Sequence, residues 1–154
     1  MKGSKIILFL FVFTSLMAQK TQLNNFAELM DALNTGENVR TVIYYGQCKL
    51  FSDGEQQEES VDATGGMAIG TYEYFSKMLF GNPNAFVVAS ETQLINHPHY
   101  GYVLNYGKIK IYDDSRVEIN VKYLTPGTYE EQMDETFKSV ISDGENQGAV
   151  YFYK

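Results

Sequence analysis

The chain has little of what usually announces catalysis or crosslinking. Cys48 is the only cysteine among 154 residues, so no intramolecular disulfide can form. There are two histidines, three prolines and no tryptophan. Cations are scarce: twelve Lys and Arg stand against nineteen Asp and Glu, a net charge of −7. An acidic surface repels phosphate backbones, which excludes nucleic acid as a partner. No cluster of Lys or Arg exists to hold an anionic membrane. The sequence contains no GxSxG, HExxH or CxxC motif and no N-x-[ST] sequon, so the common nucleophile, zinc, redox and glycosylation signatures are all missing.

Long apolar runs are missing too. The longest, Ile6 to Phe13, follows Lys2 and Lys5 and gives way to small and polar residues up to Ala18. A basic head, a short hydrophobic middle and a small-residue end read as a secretory leader, residues 1–18, cleaved after Ala18. A permanent membrane helix needs about 20 apolar residues, and no second run appears. The expectation is a secreted, extracellular protein with no membrane attachment after cleavage. One domain, residues 19–154, is expected, large enough to bury a core without disulfide staples. Loss of Lys2 and Lys5 with the leader carries the net charge from −7 to −9.

What is abundant is Tyr and Phe, twelve and ten residues. With Val and Ile they favour half-buried pleated surfaces. One short helix is expected first: Phe26, Leu29, Met30 and Leu33 share a face, Asn25 and Glu28 form a capping box, and Gly36 ends it. Val39 to Phe51 is apolar on both faces and reads as a central strand. Ser52 to Gly66 is a polar, acidic loop closed by Gly65-Gly66, and strand signal resumes from Met67 to Phe75. Ala85 to Leu94 reads as a strand, and Asn96 to His99 turns the chain. Lys108–Ile111 and Val117–Tyr123 alternate strictly about Asp113-Asp114-Ser115, which predicts an antiparallel hairpin. Residues 129–142 fit either a helical stripe (Tyr129, Met133, Phe137, Val140) or a loop leading into a terminal hairpin of Phe137–Ser142 with Ala149–Tyr153; we favour the hairpin. With no βαβ rhythm, the fold class is mainly β or α+β: an antiparallel sheet, sandwich or partly closed barrel of about seven strands with one short N-terminal helix.

Few residues are candidates for chemistry. His97 and His99 flank Pro98 and could share a metal, though a loop His-x-His alone falls short of a zinc site, and an ordinary polar turn is the plainer reading. Asp53, Glu55, Glu58, Glu59 and Asp62 lack the spacing of a calcium loop. Gly65-Gly66 with Ala68-Ile69-Gly70 lacks the spacing of a phosphate-binding loop. Cys48 has three readings: a small buried hydrophobe, an intermolecular bridge that would dimerise the chain, or a reactive thiol. No cofactor is expected, and a monomer is favoured over a Cys48-linked dimer.

The order of these features resembles the VirK family of small exported proteins. The resemblance is carried by FAELMDALNTGENVR (Phe26 to Arg40), VRTVIYYGQCKL (Val39 to Leu50), GGMAIGTYEY (Gly65 to Tyr74), YLTPGTY (Tyr123 to Tyr129) and GAVYFYK (Gly148 to Lys154). It implies an exported single domain of unknown biochemical role, with no established catalytic activity or cofactor. It also implies a partner for Cys48 near the C-terminal hairpin, where this chain carries Ser139. The expectation is a secreted, non-enzymatic binding or interaction protein whose partner is an extracellular protein or small ligand. The alternatives are a lipocalin-like carrier of a small apolar ligand and, behind it, a secreted hydrolase using carboxylates or the His97/His99 pair.

Overall fold

A computed structural model describes residues 20–154, so the leader expected at residues 1–18 lies outside the described residues. In chain order the elements are β1 (Gln22–Leu23), α1 (Phe26–Asn34), β2 (Val39–Tyr44), β3 (Lys49–Ser52), β4 (Glu55–Gln56), β5 (Thr64–Gly65), β6 (Ala68–Ile69), β7 (Tyr72–Phe75), β8 (Phe86–His97), β9 (Gly101–Tyr112), β10 (Arg116–Leu124), β11 (Glu131–Val140) and β12 (Val150–Tyr153). The strands form two antiparallel sheets. The larger runs β4-β3-β11-β10-β9-β8-β7; the smaller runs β1-β12-β2, with β5 and β6 both paired to β2. Among the described residues the result is sandwich-like, and no barrel closes.

The helix forms as its sequence dictates. Asn25 Oδ1 accepts from the Glu28 N–H at 3.0 Å, and Glu28 Oε2 accepts from the Asn24 N–H at 2.8 Å, so two otherwise orphaned donors are satisfied. Gly36 takes φ 76, the left-handed value that ends helices, and its N–H donates to the Leu33 carbonyl. Leu29, Ala32 and Leu33 enter the core with Ile43, Val87, Ile109, Ile111, Val117, Ile119, Phe137 and Phe152.

Val39 to Phe51 is not one central strand. It serves both sheets, broken by a 3-10 turn at Tyr45–Gln47. Val39, Thr41 and Ile43 face the core from β2, whereas Cys48 and Leu50 face it around β3, so the inward parity flips from odd to even. That flip is why the sequence looks apolar on both faces. The acidic loop likewise contributes two-residue strands at each end, with a tight turn at Asp53-Gly54 (φ 51 and 82). The Asp113–Ser115 hairpin forms as expected, Val117 opposite Ile111 and Ile119 opposite Ile109.

Residues 131–140 are strand, but the terminal hairpin does not form. β11 pairs with β10 and β3 in the larger sheet, while β12 pairs with β1 and β2 in the smaller one. An isolated parallel bridge, Ile141 to Val150, and a hydrogen bond from the Ala149 N–H to Ser139 Oγ at 3.0 Å link the two segments in place of a ladder. The turn between them closes on itself: Asp143 Oδ1 accepts from the Glu145 and Asn146 N–H groups at 2.9 and 2.7 Å. It redirects the chain across the sandwich rather than folding it back beside β11. The connection from β7 to β8 is exposed and apolar. Met78 and Phe80 hold φ 65 and 54, and Phe80 is 85% exposed with its ring 6.0 Å from Phe75.

Candidate functional site: a cleft at the seam between the sheets

The inner face of the larger sheet changes character along its strands. Ala89, Ile109, Ile119, Phe137 and Leu50 lie in one cross-strand row, all buried. Two residues further along comes Glu91–Gly107–Val121–Glu135–Ser52, all half-buried, and then Gln93–Asn105–Tyr123–Met133. β8 and β9 run for twelve residues against six in β2, so the larger sheet projects past the smaller one. Where the second layer stops, carboxylates and amides replace Ile and Val.

At that boundary the segment Gly65–Gly66–Met67 crosses the edge of β2 between β5 and β6. Thr41 holds it there: its N–H donates to the Met67 carbonyl at 2.9 Å, and its Oγ1 accepts from the Met67 N–H at 3.1 Å. The two glycines are demanded by this close approach. A Cβ on Gly66 would collide with the Thr41 carbonyl, and one on Gly65 would press on the Tyr45 ring. Two hollows flank the segment. The inner one, about 90 Å3, lies among Ile43, Tyr45, Gln93, Asn105, Gly107 and Val121. The outer one, about 750 Å3, opens to solvent beside Arg40, Thr64, Ala68, Tyr153, Lys20 and Lys154. Gly66, Met67 and Glu91 line both.

Cys48 sits where the chain crosses between sheets, buried, its Sγ donating to the Tyr44 carbonyl at 3.5 Å. Burial pushes its pKa up to about 11, partly offset by a hydrogen bond with Ser139. Little thiolate therefore exists at neutral pH, and the geometry supports the buried-hydrophobe reading over the bridge or the nucleophile. Ser139, where the VirK resemblance implies a half-cystine partner, lies beside Cys48. Burial also pushes Tyr45 up to about 12, with Cys48 and Tyr123 adding to the shift.

His97 and His99 lie at the far tip of the β8–β9 hairpin, away from both hollows. His97 Nδ1 accepts from the His99 N–H at 3.2 Å, and the two ring centroids are 5.9 Å apart. His97 packs among rings, 5.0 Å from Tyr100 and 4.9 Å from Tyr123. Among the described residues, no three of His, Cys, Asp and Glu converge as a metal-binding group. The structure keeps Cys48 and the histidine pair apart and places neither in the cleft. Arg40, Glu91 and Tyr153, which line the outer hollow, carry no motif. The diglycine was the one readable signal, and its meaning lay in backbone approach rather than in phosphate binding.

A family model described as VirK protein matches residues 22–129. No curated protein resembles the chain closely enough to count as a match. Among solved structures, the chain is similar to the crystal structure of a VirK family protein from Legionella pneumophila. That similarity is 15% in identity, covers 86% of this chain and 98% of that one, and has a TM-score of 0.63. At that identity the likeness is one of fold.

Proposed function

The chain belongs to the VirK family, and on that premise we propose that it is an exported, non-enzymatic binding protein whose ligand lodges in the Gly65–Met67 cleft. The observation that carries this reading is the outer hollow of about 750 Å3, which shares Gly66, Met67 and Glu91 with the inner one. That volume falls in the range of small-molecule sites, about 300–1,000 Å3. Its walls mix apolar surface (Val42, Met67, Ala68) with a few polar groups from separate strands, the usual composition of such sites. The leader-like residues 1–18 support export.

Catalysis has less support. A nucleophile needs a base within about 2.6–3.2 Å, and Cys48 is instead hydrogen-bonded to a carbonyl and to Ser139. The lipocalin-like alternative required a closed barrel around a cavity; here the sheets stay separate and the interior is filled by Phe152, Ile43, Ile109 and Ile119.

The test is a fragment screen on the secreted, purified protein followed by backbone amide shifts. Ligands are expected to move Gly65 to Ala68 and Glu91 together, and the mass of the secreted chain should lack residues 1–18. Shifts confined to the His97–Tyr100 tip, or scattered over the surface, would overturn the cleft assignment. Retention of the full chain inside the cell would overturn export.

A further inference from the structure

The charge of the outer hollow runs against that of the protein. Acids outnumber cations nineteen to twelve in the whole chain, yet among the described residues the hollow is lined by Lys20, Arg40 and Lys154 with Glu91 as its one acidic side chain. A second cleft shows the opposite bias: among the described residues Asp53, Glu131, Asp134 and Glu135 line it, with Lys122 pairing to Glu131 and Asp134 at 2.7 and 2.8 Å. The distribution is therefore polarised, and local potential rather than net charge selects what enters a cleft.

Arg40 is the best placed of the three cations. On the solvent face of the smaller sheet it stands directly opposite Tyr153 on one side and Ala68 on the other. Ala68 and the adjoining glycines have no bulk to fill the space beside it, and that space is the hollow. Among the described residues Arg40 makes no ion pair, whereas Lys154 is paired with Glu37 at 3.6 Å. A guanidinium offers a fixed fork of donors that fits a carboxylate or phosphate with two parallel bonds. Next to it, Tyr153 lies parallel to Tyr151, with centroids 6.4 Å apart and 6° between planes, and Tyr44 meets Tyr151 edge-on at 5.6 Å. Of these three rings Tyr153 lines the hollow, beside the fork.

We propose that the outer hollow binds a small ring-bearing oxyanion, a carboxylate or a phosphate, with Arg40 anchoring the charge and Tyr153 supporting the ring. This rests on the cleft reading above and adds the ligand's chemical class. Lys20 raises the local positive potential, Lys154 less so because Glu37 pairs with it, and Glu91 at the inner end disfavours an anion from passing beyond Met67. The charged end of the ligand therefore stays on the outer side.

The test titrates benzoate, phenyl phosphate and benzyl alcohol into the secreted, purified protein and follows the amides of Met67, Ala68 and Tyr153. Both anions are expected to bind, and benzyl alcohol to bind at least tenfold more weakly, because a hydrogen bond to a charged group contributes roughly tenfold or more in affinity. Arg40→Gln should weaken anion binding by about the same factor, Arg40→Lys by less, and added salt should weaken it in the wild type. Arg40 is exposed, so all variants should unfold at the wild-type temperature. The benzoate and phenyl phosphate arms separate the carboxylate source from the phosphate source. Equal binding of benzyl alcohol, or anion binding indifferent to Arg40→Gln, would overturn the oxyanion assignment and leave the cleft standing. If no probe moves these amides, the oxyanion assignment falls, and the fragment screen then decides the cleft.

Discussion

The same four strands, β8 to β11, build both a core and a projecting face beside the cleft, and the two halves follow one alternation rule with different residues. Under the smaller sheet the inward positions are Val87, Ala89, Ile109, Ile111, Val117, Ile119 and Phe137, all buried. Beyond its edge the inward positions turn mostly polar, Glu91, Gln93, Asn105 and Glu135 beside Val121, Tyr123 and Met133, all half-buried or exposed, with Val103 buried further out on β9. The strand pattern itself does not decide which residues are apolar; the presence of a covering layer does. A face left uncovered can keep groups that water satisfies until a ligand replaces it.

The sharpest way to break this contrast is to truncate one side chain in each half. Phe137 is buried, with its ring 4.6 Å from Tyr45. Phe137→Ala should cost about 3–5 kcal/mol in a urea titration, since it opens a cavity that rigid sheets cannot collapse. Asn105→Ala, in the projecting half, should stay within about 0.5 kcal/mol. A loss above about 2 kcal/mol for Asn105→Ala would mean that the projecting half is structural, and the division between the halves would fail.

A subtler contrast appears at high pH, because the buried side of the boundary holds two groups that are neutral only while protonated. Cys48 rises from 9.0 to about 11 and Tyr45 from 10.0 to about 12, both chiefly through burial. The folded state keeps these protons where the unfolded chain has lost them. Their contribution is thus fully present below about pH 9 and is lost as pH rises through the folded values. Two units on one group amount to at most about 2.7 kcal/mol, less where some hydration remains. Thermal unfolding at pH 8 and pH 10.5 should show this fall, and Cys48→Ser should reduce it. A thiol reagent that labels native Cys48 at pH 8 as fast as the unfolded chain would refute the burial on which this rests.

How much of this was legible in the sequence depends on whether the signal was local. The α1 cap at Asn25 and Glu28 and the hairpin about Asp113–Ser115 are set by neighbours in the chain, and both formed where the residues placed them. Val39 to Phe51 misled because β strength was read without the parity flip at Tyr45–Gln47, a tertiary event that sends one strand into each sheet. The supposed terminal hairpin failed for a related reason: β11 and β12 each suit a sheet, and nothing local says that the sheets differ. The cleft was the least legible part. Arg40 sits in a mostly apolar strand and meets Tyr153 through the β2–β12 register, while Glu91 reaches the cleft from the other sheet. The residues that looked chemical, Cys48, His97 and His99, stood out by rarity, which says nothing about position.

The smallest expected effect lies on the boundary row itself. Glu135 shares its row with Val121 and Ser52, and burial raises its carboxyl above the usual range. A carboxyl raised in this way binds its proton more tightly in the folded chain, so its contribution to stability falls as pH rises past the unfolded value. At pH 7 the ionised group is thus a modest liability, held because it lies where the covering layer runs out. Glu135→Gln removes that liability while keeping the shape, and should raise stability by a few tenths of a kcal/mol at pH 7 after discounting for solvent, with no gain near pH 3. Calorimetry at the two pH values checks both parts. Stabilisation equal at both would trace the gain to packing rather than charge. Destabilisation at pH 7 would mean that the Glu135 carboxylate has a favourable partner, and the boundary would then lie one row further out, at Gln93–Asn105–Tyr123.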